Sequence, residues 1–160
     1  MVATRSKRFI CIADYRKQLA RLLTNWPSIP IEVAPISHAS VLRELEILGS
    51  KNPKIREHSL AKTGPIQTDQ SFYIIDAPFE TLLTPEDVAG GKDGSGKNGI
   101  WEVSTLAERI KKITGVLEVG LFYGMDGDEA QAAGLKGGQK PVACYFGTAD
   151  GEVSVQSNSK

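Results

Sequence analysis

The sequence is poor in the residues that most often announce a function. Its 160 residues include two cysteines, Cys11 and Cys144, and two histidines, His38 and His58. No Cys or His pair stands at metal-ligand spacing, so a zinc motif is excluded and no metal site is expected. One pair of cysteines cannot make a disulfide framework. Each lies in an apolar run and reads as a buried thiol of a reducing compartment. Neither histidine accompanies a Ser or Cys nucleophile in a recognisable arrangement, and both read as surface or half-buried side chains. No apolar run reaches the roughly 18 residues that span a bilayer. The opening "MVATRSKR" is not followed by the apolar core of a signal peptide. The expectation is a cytoplasmic protein without a membrane partner. Charge of one sign is also missing. Lys and Arg total 19 and Asp and Glu total 19, so the cationic face of a general nucleic-acid binder is absent.

What is present is a series of short apolar segments separated by turn residues. Phe9 to Ala13 is apolar at every position, as in a strand buried on both faces. Asp14 is placed to cap a following helix, in which Tyr15, Leu19, Leu22 and Leu23 share a face. Pro27 and Pro30 end it. Ile31 and Val33 alternate with Glu32 as in a half-buried strand. Ser37 is a candidate N-cap for a helix striped by Val41, Leu42, Leu45 and Leu48 and closed by Gly49. The segment from Lys54 to Phe79 reads as two strands around turn residues, Phe72 to Ile75 being the clearer. "LLTPEDVAGGKDGSGKNG" reads as a polar loop. Val103, Leu106, Ala107, Ile110 and Ile113 mark a second helix ended by Gly115, and "VLEVGLFYG" is the next strand. "KPVACYF" and "EVSVQ" flank "GTADG" as a hairpin, and "SNSK" reads as a frayed end. Trp26 and Trp101 read as packing residues.

From Ile29 to Tyr123 the order is strand, helix, strand, strand, helix, strand. This is the ferredoxin-like βαββαβ pattern, an antiparallel sheet covered on one face by two helices. The opening strand and the final hairpin lie outside it and read as parts of a second sheet whose other strands are missing. The expected fold class is therefore α/β plus α+β. A remnant of a Rossmann-like domain, residues 1–27 and 138–160, joins a ferredoxin-like domain, residues 28–124, with 125–137 as a connecting loop.

Few motifs carry chemistry. "GKDGSGKN", Gly91 to Asn98, approaches a phosphate-binding P-loop, but Asn98 stands where a hydroxyl should meet magnesium. It reads as a mobile surface insertion, with nucleotide binding as the competing reading. "GMDGDEA" clusters Asp126, Asp128 and Glu129 without the remaining ligands of a calcium loop, and reads as a solvated loop. "LKGGQK" reads as a flexible turn. Lys17 stands apart. It lies one turn beyond a buried strand, near a helix N-terminus, where open α/β sheets gather their ligands. A lysine there can meet a phosphate or a sugar hydroxyl.

Five blocks in order, "RFICIADYRKQ", "IPIEVAPISHASVLREL", "IIDAPF", "GVLEVGLF" and "VACYFGTADGEV", resemble the type A ribose-5-phosphate isomerases, from about Arg8 to Val155. The resemblance implies interconversion of ribose 5-phosphate and ribulose 5-phosphate in the non-oxidative pentose phosphate pathway. It implies no cofactor and no metal. A glutamate moves a proton between C2 and C1 through an enediolate. The ferredoxin-like domain serves oligomerisation, so a homo-oligomer is expected. Lys17 falls on the family's substrate-contacting lysine in "IAD-x-x-K". The family's phosphate loop, Asp-Gly-Ala-Asp-Glu run, Lys-Gly-Gly-Gly run and catalytic glutamate precede the "RFICIAD" strand. Here only Met1 to Lys7 precede it. "MDGDEA" and "LKGG" stand in the wrong place to inherit those roles. The expected protein is the C-terminal part of an isomerase, inactive as it stands. The alternative is a non-catalytic oligomerisation or binding module.

Overall fold

Short apolar or alternating segments form strands β1 (Ile10–Asp14), β2 (Ser28–Val33), β3 (Lys54–Ile55), β4 (Tyr73–Pro78), β5 (Val116–Val119), β6 (Ala143–Gly147) and β7 (Val153–Ser157). Helices α1 (His38–Ile47), α2 (Pro85–Ala89), α3 (Val103–Lys111) and α4 (Gly127–Ala132) lie between them. The structure is a computed structural model and describes residues 2–58 and 63–157. It is mixed α/β with two sheets, and the chain divides into one unit of residues 1–20 and 122–160 and another of residues 21–121.

The 21–121 unit holds a four-stranded antiparallel sheet in the order β3-β4-β2-β5. Central β2 pairs Ile31 with Ile75 of β4 and with Val119 of β5. Its inward residues Ile29, Ile31 and Val33 are buried. Val41 and Leu45 of α1, and Leu106, Ala107 and Ile110 of α3, are buried too, each set falling on one helix face at i, i+3 or i+4 spacing. α1 ends where Gly49 takes φ +96°, a conformation open to glycine at little cost. Ser37 precedes α1 but makes no capping bond with its side chain. It faces Gly115, where any side chain would collide with it. The cap on α3 is Glu102, buried, whose carboxylate accepts from the N–H groups of Ser104 and Thr105 at 2.9 Å each. The tail segment 158–160 and residues 59–62 lie outside the described residues, and with them part of the expected turn region and of "SNSK".

The polar stretch before α3 is no loose insertion. Thr84-Pro85-Glu86-Asp87 builds α2 with a capping box in which the Thr84 side chain accepts from the Asp87 N–H and Asp87 returns a bond to the Thr84 N–H. Downstream, Ser95 bridges Trp101 and Gly96 takes φ +95° against the indole ring. Trp101 is buried and donates its indole N–H to the Leu48 carbonyl at 2.9 Å. Trp26, expected to pack likewise, is 61% exposed.

In the other unit β1 pairs in parallel with β6, and β6 antiparallel with β7. β1 is bare on one face, the exposure expected of a strand in a sheet whose other strands are missing: Ile12 is 85% exposed and Ile10 is exposed beside it. One expectation fails next to it. The helix expected after Asp14 is a single 3-10 turn, Tyr15–Lys17. Tyr15, Leu19 and Leu22 are exposed, and Leu23 has a left-handed φ of 65°. An amphipathic helix this short is not stable without an apolar surface for its stripe, and only Leu23 is half-buried. The segment read as a connecting loop contains α4, whose capping box joins Asp126 and Glu129.

Candidate functional site

The site begins at the C-terminal end of β1. The strand delivers Asp14 to its last position, and extended backbone there (φ −74°, ψ 144°) suits a cap. One Asp14 oxygen accepts from the Arg16 backbone N–H at 2.9 Å and from Arg16 Nε at 2.7 Å; the other accepts from the guanidinium at 3.2 Å. The turn this closes ends on Lys17, whose side chain is exposed. Register sets the neighbours. Asp14 lies beside Gly147 of β6, which lies beside Val153 of β7, so the hairpin turn 148–152 stands at the same sheet end. Gln18 accepts from the Ser154 hydroxyl at 3.2 Å, tying the segment after Lys17 to β7.

A cation at the ends of parallel strands suits an anionic or polyhydroxyl ligand. The carboxylates around it are committed elsewhere. Bonds from the Arg16 side chain, then from its backbone N–H, hold the Asp14 carboxyl below its ordinary range. Asp150 is held low by the Thr148 hydroxyl and then by the Glu152 N–H, and it serves the hairpin turn. A general base is tuned toward neutrality, whereas both of these carboxyls are held below their ordinary range.

The other clusters resolve into structural roles. Asp126, 4% exposed, accepts from the N–H groups of Asp128 and Glu129 at 3.0 and 2.9 Å. The solvated loop expected there is a helix cap, and Arg8 pairs with Asp128 at 3.1 Å. Gly137 and Gly138 of "LKGG" lie where a Cβ would strike the Thr4 carbonyl and the backbone of Met125 and Asp126. They permit close packing of backbone. Gly94 and Gly96 of "GKDGSGKN" do the same, a Cβ at Gly94 falling 2.7 Å from the Glu102 Cβ. No strand feeds that loop directly and no α-helix starts at its end, so the P-loop likeness has no structural counterpart. His38 bonds through Nδ1 to the Pro35 carbonyl oxygen at 2.7 Å and meets Tyr73 edge-on at 5.9 Å, while His58 is exposed. Among the described residues no three His, Cys, Asp or Glu side chains converge as metal ligands. Among the same residues no helix is long and apolar enough to cross a membrane.

One carboxylate was missed by sequence reasoning. Asp87 receives bonds from Arg21, from Lys92 at 2.8 Å and from Thr84, and its carboxyl is held far below the ordinary range, Arg21 contributing most. The Thr-Pro-Glu-Asp spacing signals the cap; nothing local signals Arg21, which is 66 residues away.

Comparison with known proteins bears on the family and the fold. The model of the family described as ribose 5-phosphate isomerase A (phosphoriboisomerase A) matches residues 1–134. A ribose-5-phosphate isomerase of Candida albicans is 36% identical over 159 residues, covering 98% of this chain and 53% of that protein. One from Schizosaccharomyces pombe is 34% identical over 160 residues, covering 99% and 46%. The solved ribose 5-phosphate isomerase A of Methanocaldococcus jannaschii superposes with a TM-score of 0.69 at 25% identity, over 98% of this chain and 52% of that one. A D-ribose-5-phosphate isomerase solved in complex with phospho-erythronic acid superposes at 0.63 with 25% identity, over 94% and 50%. The chain spans about half the length of the curated relatives it matches. Over that span, the chain belongs to the ribose 5-phosphate isomerase A family.

Proposed function

We propose that this chain is the C-terminal part of a ribose-5-phosphate isomerase, supplying Lys17 to a sugar-phosphate site whose proton-moving carboxylate comes from the part of the enzyme it does not contain. The reaction is the cytoplasmic aldose–ketose interconversion of ribose 5-phosphate and ribulose 5-phosphate. A carboxylate carries a proton between C2 and C1, and Lys17 holds a phosphate or hydroxyl oxygen of the substrate. The finer fold reading belongs here too: 1–27 with 138–160 as a Rossmann-like remnant, 28–124 as the ferredoxin-like domain.

The observation that carries this reading is β1. It ends on a capped turn that presents Lys17, and it belongs to a three-stranded sheet with a bare apolar face, in a chain about half as long as its relatives. A lysine without a base orients substrate but moves no proton from carbon, so the chain alone is inactive. Purified chain assayed for ribulose 5-phosphate formation should match a buffer blank. It should gain turnover when mixed with a polypeptide matching the other half of the Candida albicans relative. In that mixture Lys17→Ala should weaken sugar-phosphate handling without unfolding the chain. Turnover by the chain alone overturns the assignment of the base, and unchanged kinetics of Lys17→Ala overturns the role of the lysine.

A second reading has its own support. The largest fully buried side chains, Ile29, Ile31, Leu45, Ile75, Leu82 and Leu106 among them, all lie in the 21–121 unit. A unit with its own core can serve as a non-catalytic oligomerisation module. A defined homodimer in light scattering with no turnover in the mixture favours this reading; a monomer counts against it.

A further inference from the structure

The two cysteines face each other. β1 and β6 run parallel with Cys11 in register with Cys144, and in-register residues of neighbouring strands project to the same side. That side is the more covered one. Cys11 and Ala13 are half-buried while Ile10 and Ile12 are exposed, and Phe146, two residues beyond Cys144, is buried. Both thiols are free. The isomerase reading uses neither.

Ligand number and softness decide what such a pair can hold. Adjacent strands lie about 4.7–4.9 Å apart, a backbone separation inside the about 4.4–6.8 Å between the Cα atoms of a disulfide, so air oxidation competes for the pair and an ion must be offered without oxygen. Two thiolates bridged by one ion, at about the 2.3 Å of a zinc–sulfur bond, stand roughly 4.6 Å apart, within reach of side chains paired across neighbouring strands. No third His, Cys, Asp or Glu among the described residues joins them. That rules against tetrahedral zinc and against hard cations, which need more ligands and oxygen donors. Soft ions accept two sulfurs.

We propose that Cys11 and Cys144 form a two-coordinate site for a soft monovalent cation of the Cu(I) class, bridging β1 and β6. Two S–H bonds break and two sulfur–copper bonds form. Two protons go to solvent, copper stays in its +1 state, and the product is a bis-thiolate carrying one negative charge. Burial raises both thiols above their ordinary range, and Cys144 adds to the effect on Cys11. In the absence of the ion the pair therefore stays protonated and is a poor nucleophile.

The test is anaerobic transfer of Cu(I) from a chromophoric bicinchoninate complex to the full chain. The expected result is one copper taken up per chain, with the stoichiometric site lost in both Cys11→Ser and Cys144→Ser. X-ray absorption of the loaded wild-type chain should show two sulfur neighbours and no nitrogen or oxygen. That spectrum does not depend on how the variants fold. Failure to draw copper from the chelator, uptake that survives either substitution, or a spectrum with one sulfur or with light-atom ligands overturns the proposal.

Discussion

Replacing Ile31 and Ile12 by alanine, one at a time, measures how differently two β-strand isoleucines are held. Ile31 sits on the central strand between Ile75 and Val119 with no exposed surface. Ile→Ala at such a site costs about 2–5 kcal/mol, transfer and cavity terms together. Neighbours paired on both sides cannot collapse into the gap, which favours the upper half of that range. Ile12 is 85% exposed. Full burial of an isoleucine is worth about 1.5–3 kcal/mol, so the small covered fraction accounts for only a few tenths. Its cross-strand contact with Tyr145 adds about 0.2–1 kcal/mol. With a urea slope of about 1–3 kcal/mol/M, Ile31→Ala should lower its midpoint by roughly 2 M and Ile12→Ala by about half that or less. Trp26 and Trp101 both lie in the 21–121 unit, so tryptophan fluorescence follows that unit while far-UV circular dichroism follows both. Ile31→Ala should move the fluorescence transition and Ile12→Ala should leave it in place. An Ile12→Ala loss as large as that of Ile31→Ala, unchanged on tenfold dilution, would refute the claim that this face of β1 is bare. A loss that fades on dilution would show that copies of the chain cover it.

Gly96→Ala places a methyl group 2.5 Å from Cε2 of Trp101 at a φ of +95°. The clash and the backbone strain together should cost about 2 kcal/mol or more, read as a lower fluorescence midpoint and a red-shifted emission. Mg-ATP at millimolar concentration should leave the thermal transition unmoved, because the same glycine packs on indole and cradles no phosphate; a rise in Tm that grows with nucleotide concentration would contradict this. Asp87 supplies a pH signature. Its folded-state carboxyl is depressed, so its stabilising effect is complete above the unfolded value of about 3.9 and is lost as pH falls below it. The Tm gap between wild type and Asp87→Asn should be widest near neutrality and narrow below about pH 4; a gap that widens with acid would invert the sign of the argument.

The 21–121 unit was legible because its signals are local and agree with its packing. The stripe Val41 and Leu45 and the stripe Leu106, Ala107 and Ile110 are spaced as helices and buried as helices. Ile31 and Val33 alternate with Glu32 as a strand and are buried as one. The stripe Tyr15, Leu19, Leu22 and Leu23 carries as clear a helical period, yet the backbone makes one 3-10 turn. Period reports what a segment would bury if a surface met it, and here Tyr15, Leu19 and Leu22 stay exposed. The short helices α2 and α4 were missed for the opposite reason. Their signals are capping boxes, Thr84 with Asp87 and Asp126 with Glu129, and too few apolar residues follow to make a period. At the site, the Asp14 cap was readable from neighbouring residues, while the helix expected after it is one turn that ends on Lys17. The Gln18–Ser154 bond, across 136 residues of chain, was not.

The same bare face bears on how a partial isomerase would be completed. Ile12, Tyr145 and Val155 stand in register across β1, β6 and β7, all exposed, with Ile10 and Val153 exposed nearby. On the proposed reading, whatever completes the sheet must cover this row. Burying even half of its aliphatic and aromatic area is worth several kcal/mol at about 25 cal/mol per Å². None of these five side chains carries a charge, so the attraction should survive salt that screens ionic contacts within about 10 Å. Lys17 lies just past the end of β1, on the turn that Asp14 and Arg16 close. Its position is therefore fixed locally before any docking, and its chemical partner is not. In this arrangement apolar surface joins the parts and the lysine acts only once they are joined. Salt should then leave the affinity of the two parts nearly constant while weakening the grip of the assembled site on an anionic sugar phosphate.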